Sequence, residues 1–469
     1  MSSPVLKPTV LIVGAGELGA STAVSLLRSG QYGKVTIIDR AETLPALDAA
    51  SCDINKVVRF DYIDKDYAVL AKKAIDEWNK PDWYGIYYQS GVVVRGLHLE
   101  GYHGETGIQT YQNVKAQEPK ARLLNTPEEF TRVLSGGSPS VKVRIPGKEV
   151  RGYYNPSGGW ANATAAVEKL YSWIRELGGE IIPKAEFQDL LYSGSSPSSS
   201  SSSSTTPGGK KDVIGVRVKD GREFKADKVV LALGSWSGSH PSLKGIIPEN
   251  LVTATGQTVC AIQLSKEQAE RYKDIPVSMH HDGSGYYSFP PNEQGIVKFA
   301  LHAAGYVTQD GVPRTATDPK AVAYTNSQAV GWIPKDSYTK LREQLSIVYP
   351  ELAQMPIAFT RMCWYSDVVD GNWVIDISPD YPSLTIATGG AGHAFKFLPI
   401  IGDLIKSRME GTLEPHLQRK WRITRDSSFV DPARKDMIRR PLKLHELVTE
   451  QELLTGLSSS DEAKRASRL

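Results

Sequence analysis

Hydrophobic positions open the chain as a continuous run, Val10–Val13, which passes through a glycine turn into a helix of small residues starting at Glu17. A run apolar on both faces fits a strand buried inside a parallel sheet. Two similar runs, Lys34–Asp39 and Lys228–Gly234, are expected beside the first, and Leu384–Thr388 returns to the same style near the other end. Helical spacing marks Tyr67–Trp78 (Tyr67, Leu70, Ala71, Ala74, Trp78), Ala163–Leu177, which Gly178 and Gly179 end, and Leu398–Met409. Short strands are predicted at Val92–Val94 and Glu180–Pro183, and a hairpin joins Val213–Val218 to Glu223–Ala226.

From Thr253 to Ala304 the pattern changes to alternation (Thr258–Ile262, Tyr286–Phe289, Ile296–His302), the mark of an antiparallel sheet. Asp48–Tyr62 has no period and reads as a loop over a ligand. Ser193–Lys211, rich in Ser, Pro and Gly, has nothing to bury and is predicted to be a disordered surface loop.

The first turn reads as a dinucleotide cradle. Gly14 permits the tight turn out of the strand, Gly16 lets the backbone approach a pyrophosphate, and Gly19 brings the helix close to the sheet. The phosphates are expected at the start of that helix, around Glu17 and Leu18. Asp39 lies 20 residues past Gly19, where an acceptor for a ribose hydroxyl belongs, with Arg40 next to it.

Composition narrows the partners. The 469 residues carry 55 basic and 52 acidic side chains, a net charge of +3, which points away from nucleic acid and from a polybasic membrane patch and toward a small substrate. No apolar run is long enough to span a bilayer. Three cysteines (Cys52, Cys260, Cys363) make no disulfide framework and fit no zinc spacing, so no metal is expected and a reducing compartment is. The first residues lack the apolar core of a secretory signal, which predicts an intracellular protein. Ser467-Arg468-Leu469 is a close variant of the Ser-Lys-Leu peroxisomal address on a polar tail, so a peroxisomal import receptor is the expected partner, with the cytoplasm as the location if the signal is unused.

The segment Arg361–Asp376, with Cys363 inside it, and the run Gly389–Pro399, containing Gly392-His-Ala-Phe-Lys-Phe397, carry a family resemblance. Together with the glycine turn and Asn55–Arg59 they resemble the FAD-dependent oxidases of secondary amines: monomeric sarcosine oxidase, fungal L-saccharopine and L-pipecolate oxidases, and fructosyl amino acid oxidases (amadoriases). The resemblance runs from Gly14 to about Met409. It implies a two-domain α/β flavoprotein, with a Rossmann-like FAD-binding domain interleaved with an antiparallel-sheet substrate domain. The expected boundaries are 1–62, 150–250 and 355–430 for the FAD domain, 63–149 and 251–354 for the substrate domain, and 431–469 for a tail. A monomer is the family habit.

The resemblance also distributes roles. Cys363 is the expected tether for the flavin 8α-methyl, helped by the nearby Arg361; without the motif it would read as a small buried apolar residue. Lys298 is expected over the flavin, where a cation stabilises negative charge as dioxygen is reduced, although a lysine mid-strand ordinarily faces solvent. Arg59 and Lys396 are candidates for the substrate carboxylate, a guanidinium fork plus an ammonium. Asn55 and Lys56 are placed near the flavin ring, and Gly392, Phe395 and Lys396 also near the cofactor. His393 reads as a general base or a structural imidazole, and His280 and His281 as possible pocket residues. The implied reaction is C–N oxidation of a secondary-amine amino acid to an imine, with dioxygen reduced to hydrogen peroxide. Deglycation of fructosyl amino acids is the alternative; the arginine at position 59 is a feature of the sarcosine and saccharopine branch, the amadoriases having a small residue there.

Overall fold

A computed structural model describes residues 6–97, 102–145, 150–194, 212–314, 333–425, 438–449 and 452–453. Strand β1 (Val10–Val13) lies at the heart of a six-stranded sheet, between β2 (Val35–Ile38) and Lys228–Leu231. The sheet continues outward through Leu384–Thr388 to Val374–Ile377 on one side and to Glu180–Ile182 on the other. Every pairing is parallel except that of the edge strand Val374–Ile377. A parallel sheet needs both faces covered, which is why its strands are continuous apolar runs. Helix α1 (Glu17–Ser29) covers one face and packs closely on the helix Leu398–Met409. There Ser21 Oγ donates to the Leu398 carbonyl at 2.7 Å and accepts from the Gly402 N–H at 2.9 Å. Those bonds join two stretches of chain 377 residues apart.

The larger sheet has ten strands, centred on Thr253–Gln263. This strand pairs antiparallel with Ile296–Leu301 on one side and along nine residues with Phe359–Asp367 on the other. The register sets Lys298 opposite Ala261 and Cys363 opposite Gln257, so one sheet presents both. Its pairings are mostly antiparallel, with Val92–Arg95 running parallel to Val277–His280. The predicted hairpin forms, and Phe187–Tyr192 adds a third strand to it. Residues 195–211 of the Ser-rich tract lie outside the described residues.

Asp48–Tyr62 is not wholly loop. It contains strand β3 (Lys56–Val58), which pairs with Gly159–Ala161, and α2 (Lys65–Trp78) follows. Asp64 caps α2 by accepting from the Asp66 and Tyr67 N–H groups. β3 fixes the direction of the segment that carries Asn55, Lys56 and Arg59.

Candidate active site

The carboxyl ends of β1 and β2 open into a cleft of about 1030 Å3, measured out to open solvent, where dinucleotides bind to doubly wound sheets. Gly14, Gly16, Glu17, Leu18, Asp39 and Arg40 line it, with Ser366 and Gly390 beside Glu17. Gly14 has φ +105° and a Cβ there would collide with the Ala232 carbonyl. Gly19 sits beneath, where a Cβ would enter the Gly14 carbonyl, so α1 starts hard against the turn. Helix α1 has no side-chain cap at Gly16; its Glu17 N–H donates to Ser51 Oγ at 3.3 Å, and the helix start faces the cleft where an anion is favoured. Asp39 supports the turn: its carboxylate accepts from the Ala15 N–H at 2.8 Å and the Ala41 N–H at 2.9 Å. The Arg40 guanidinium lies over Trp236, 4.0 Å from the ring centre. Burial pushes the Glu17 carboxyl up to about 7, against the pull of Lys56 and Lys396.

Beyond this cradle the side chains change character. Lys298, 1% exposed, donates to Asp53 Oδ2 at 2.8 Å and to the Asn55 carbonyl. Lys56 reaches the same Asp53 oxygen at 2.9 Å and the Cys363 sulfur at 3.6 Å. The two lysines hold the Asp53 carboxyl well below the usual range despite its burial. Lys298 itself is pushed down to about 8, by burial first, with Asp53 opposing and Lys56 adding to the fall. The Asn55 side-chain amide is buried with neither of its polar atoms bonded, as expected of a group that awaits a ligand.

Lys56, arriving from β3, lies 3.6 Å from the Cys363 sulfur, and Arg361 is two residues away on Cys363's own strand. Arg361 is engaged elsewhere, bonding the Cys52 carbonyl and, at 2.8 Å, the Ala49 carbonyl, which pins the 49–52 loop to the sheet.

A second pair of cations converges on Tyr62. The Arg59 guanidinium lies 5.5 Å and the Lys396 ammonium 5.3 Å from the Tyr62 ring centre. Arg59 bonds the Asp61 carbonyl; Lys396 Nζ donates to the Tyr62 hydroxyl and the His393 carbonyl, both at 2.9 Å. Neither makes an ion pair among the described residues. The Asp61 carboxylate is already taken by Tyr153 and Asn155, at 2.8 and 2.9 Å. Burial and the Arg59 charge hold Lys396 well below an ordinary lysine, outweighing the pull of Glu17 and Asp61.

Several sequence expectations are adjusted. His393 has both ring nitrogens engaged, Nε2 with the Gly371 carbonyl at 2.9 Å and Nδ1 with the Tyr62 hydroxyl at 3.1 Å, which is a positioning arrangement. His280 is no pocket residue: its Nδ1 is 3.2 Å from Arg95 and 3.0 Å from Gln344, and burial pushes it down to about 3. His281 lies beyond the cleft lining as well, its N–H on the Arg95 carbonyl at 2.7 Å. Phe395 packs 6.1 Å from Trp78 within the hydrophobic core. Gly392 sits against the Tyr365 ring, which a Cβ would strike. Asp53 and Tyr62, central to the geometry, carried no motif; their only signal was nearness in sequence to Lys56 and Arg59.

Residues 9–408 match the family described as FAD dependent oxidoreductase. The chain belongs to this family. The oxidoreductase is 30% identical over 428 residues to L-saccharopine oxidase of Schizosaccharomyces pombe, covering 90% of this chain and 94% of that one. It is 22% identical over 408 residues to monomeric sarcosine oxidase of Bacillus sp., covering 84% and 90%. Among solved structures it is similar to the deglycating fructosamine oxidase Amadoriase II of Aspergillus fumigatus, with TM-score 0.75 and 25% identity over 94% of this chain and 97% of that one. The cleft suits the family's cofactor: an uncapped helix start and a glycine turn for the pyrophosphate, and the unpaired Asn55 amide beyond them.

Proposed function

We propose that this oxidoreductase oxidises the secondary amine of an amino acid, of the saccharopine, pipecolate, sarcosine or N-methyl amino acid type, to an imine that water hydrolyses, while dioxygen becomes hydrogen peroxide. The observation that carries the reading is the pair Arg59 and Lys396, two basic groups without a carboxylate partner among the described residues, with Lys396 held well below the ordinary lysine range. Such charges are costly to keep unpaired, and a substrate carboxylate completes them. Tyr62 and His393 hold Lys396 in place for it. When bound, FAD supplies the two-electron chemistry, taking hydride from the carbon beside nitrogen and passing electrons to dioxygen. Lys298 contributes a positive charge against the negative charge that grows on dioxygen. Cys363 is the tether, with Lys56 as the countercharge that a nucleophilic thiolate needs.

A peroxide-coupled screen of purified protein against these amines, their decarboxylated analogues and fructosyl amino acids tests the assignment. Peroxide from carboxylated secondary amines above all others is expected. Best turnover of fructosyl amino acids would replace the reading by deglycation, which the likeness to Amadoriase II favours. Ser467–Leu469, outside the described residues, directs the protein to peroxisomes in this account. An N-terminal fluorescent fusion should be punctate and disperse when those three residues are deleted.

A further inference from the structure

We propose that Asp53 is the positioning residue of the oxygen half-reaction: one carboxylate oxygen is the shared counterion that holds Lys298 for dioxygen and Lys56 against Cys363. The inference rests on the functional reading above. In that half-reaction dioxygen takes two electrons from the reduced cofactor and two protons, becoming hydrogen peroxide while the cofactor returns to its oxidised form.

The geometry is specific. Lys298 and Lys56 come from different segments, 242 positions apart by subtraction of their numbers, and both reach Asp53 Oδ2, at 2.8 and 2.9 Å. The other oxygen, Oδ1, accepts from the Ile54 N–H at 2.8 Å, which fixes the carboxylate's orientation. Asp53 is 7% exposed, so water does little to screen the three charges. Without the anion, two ammonium groups would face each other in a dry site, and each would shed its proton or move away.

Around Lys298 the charged and titratable neighbours are Asp53, Lys56 and Cys363, with the Phe289 ring at 4.8 Å and Arg361 acting on Asp53. Asp53 raises the proton affinity of Lys298, and Lys56 lowers it. If charged Lys298 serves dioxygen, reoxidation in the natural protein falls as pH rises through about 8. Asp53→Asn keeps an oxygen for the Ile54 N–H but sets an amide NH2 where Oδ2 meets the two lysines, so the charge and the acceptor are both lost and the fall must come at lower pH.

The test takes holoenzyme reduced by substrate without oxygen, mixes it with aerated buffer across pH, and follows flavin reoxidation. Asp53→Asn is expected to reoxidise roughly tenfold or more slowly at pH 7.5, with the midpoint moved down by at least about one unit and the rate recovering in more acid buffer. Lys56→Met removes the repulsion and should move the midpoint up. In a second arm, apo-protein is mixed with FAD and acid-precipitated at intervals; Asp53→Asn should retain flavin several-fold more slowly. Asp53→Glu should restore part of both signals. Midpoints unchanged in Asp53→Asn, or in Lys56→Met should the first variant not fold, would overturn the proposal. Failure of every carboxylated amine to reduce the natural protein would instead remove the functional reading, and the FAD-attachment arm would still report on Asp53.

Discussion

Two pairs of basic side chains stand near the cleft, Lys298 and Lys396 buried and Lys56 and Arg59 half-buried, and they are finished differently. Lys56 and Lys298 share the Asp53 carboxylate, so one of their two charges is answered inside the protein. Among the described residues, Arg59 and Lys396 bond only neutral oxygens, those of Asp61, His393 and Tyr62. Desolvating a charge costs several kcal/mol unless an opposite charge replaces the lost water. A pair given its own anion is a device set to work on something uncharged, such as dioxygen. A pair denied one is prepared for a ligand that brings the anion. In the proposed reading, the contrast separates the two halves of the reaction.

The strongest way to break the contrast is to remove Arg59. Leaving a bound carboxylate underpaired costs on the order of 2–5 kcal/mol. Arg59→Ala should lower kcat/KM for carboxylated amines by roughly one to three orders of magnitude, at about 1.4 kcal/mol per tenfold. Decarboxylated analogues, poor from the start, should hardly respond. Equal losses on both kinds of substrate would mean Arg59 serves the fold and not the clamp.

Lys298→Met attacks the other pair. Stopped-flow measurements should find reduction by substrate without oxygen little changed, and reoxidation in air slower by roughly 100-fold. Slowing of both steps alike would erase the division of labour. A smaller effect on turnover is expected from Cys363→Ser, within about tenfold, because the cradle of β1 and α1 still holds the cofactor. Its signature is in the pellet: acid-precipitated natural protein stays yellow and carries the mass of FAD on the Cys363 peptide, whereas the variant's pellet is colourless.

The same two regions differ in how much of them was legible in the sequence. The cradle is contiguous: strand, Gly14, Gly16 and α1 follow one another, and Asp39 ends the next strand, so local pattern sufficed. Leu398–Met409 likewise announced itself by period and formed as a helix over those residues. The charged clusters are assembled from distant segments. Lys56 and Cys363 are 307 positions apart, and no periodicity connects them. A resemblance brought Lys298, Arg59 and Lys396 to notice, yet it was silent on Asp53, which in a segment of small and polar residues looks solvated until β3 turns it inward. β3 itself was missed because three residues are too few to establish alternation. His280 misled for the opposite reason: it lies in the sheet, opposite Arg95 on the neighbouring strand, and its ring is held by Arg95 and Gln344.

The central claim is that Arg59 and Lys396 wait for a carboxylate, and calorimetric binding of a non-oxidisable amino acid carboxylate to the holoenzyme tests it most directly. Free Lys396 is held well below the ordinary lysine range, and an arriving anion raises it. Binding should therefore take up protons, seen as heats that vary with the ionisation enthalpy of the buffer, and should weaken as pH rises. Lys396→Met should bind more weakly and lose most of the proton uptake. Binding by the natural protein with no proton linkage, and with an affinity that Lys396→Met leaves intact, would contradict the account.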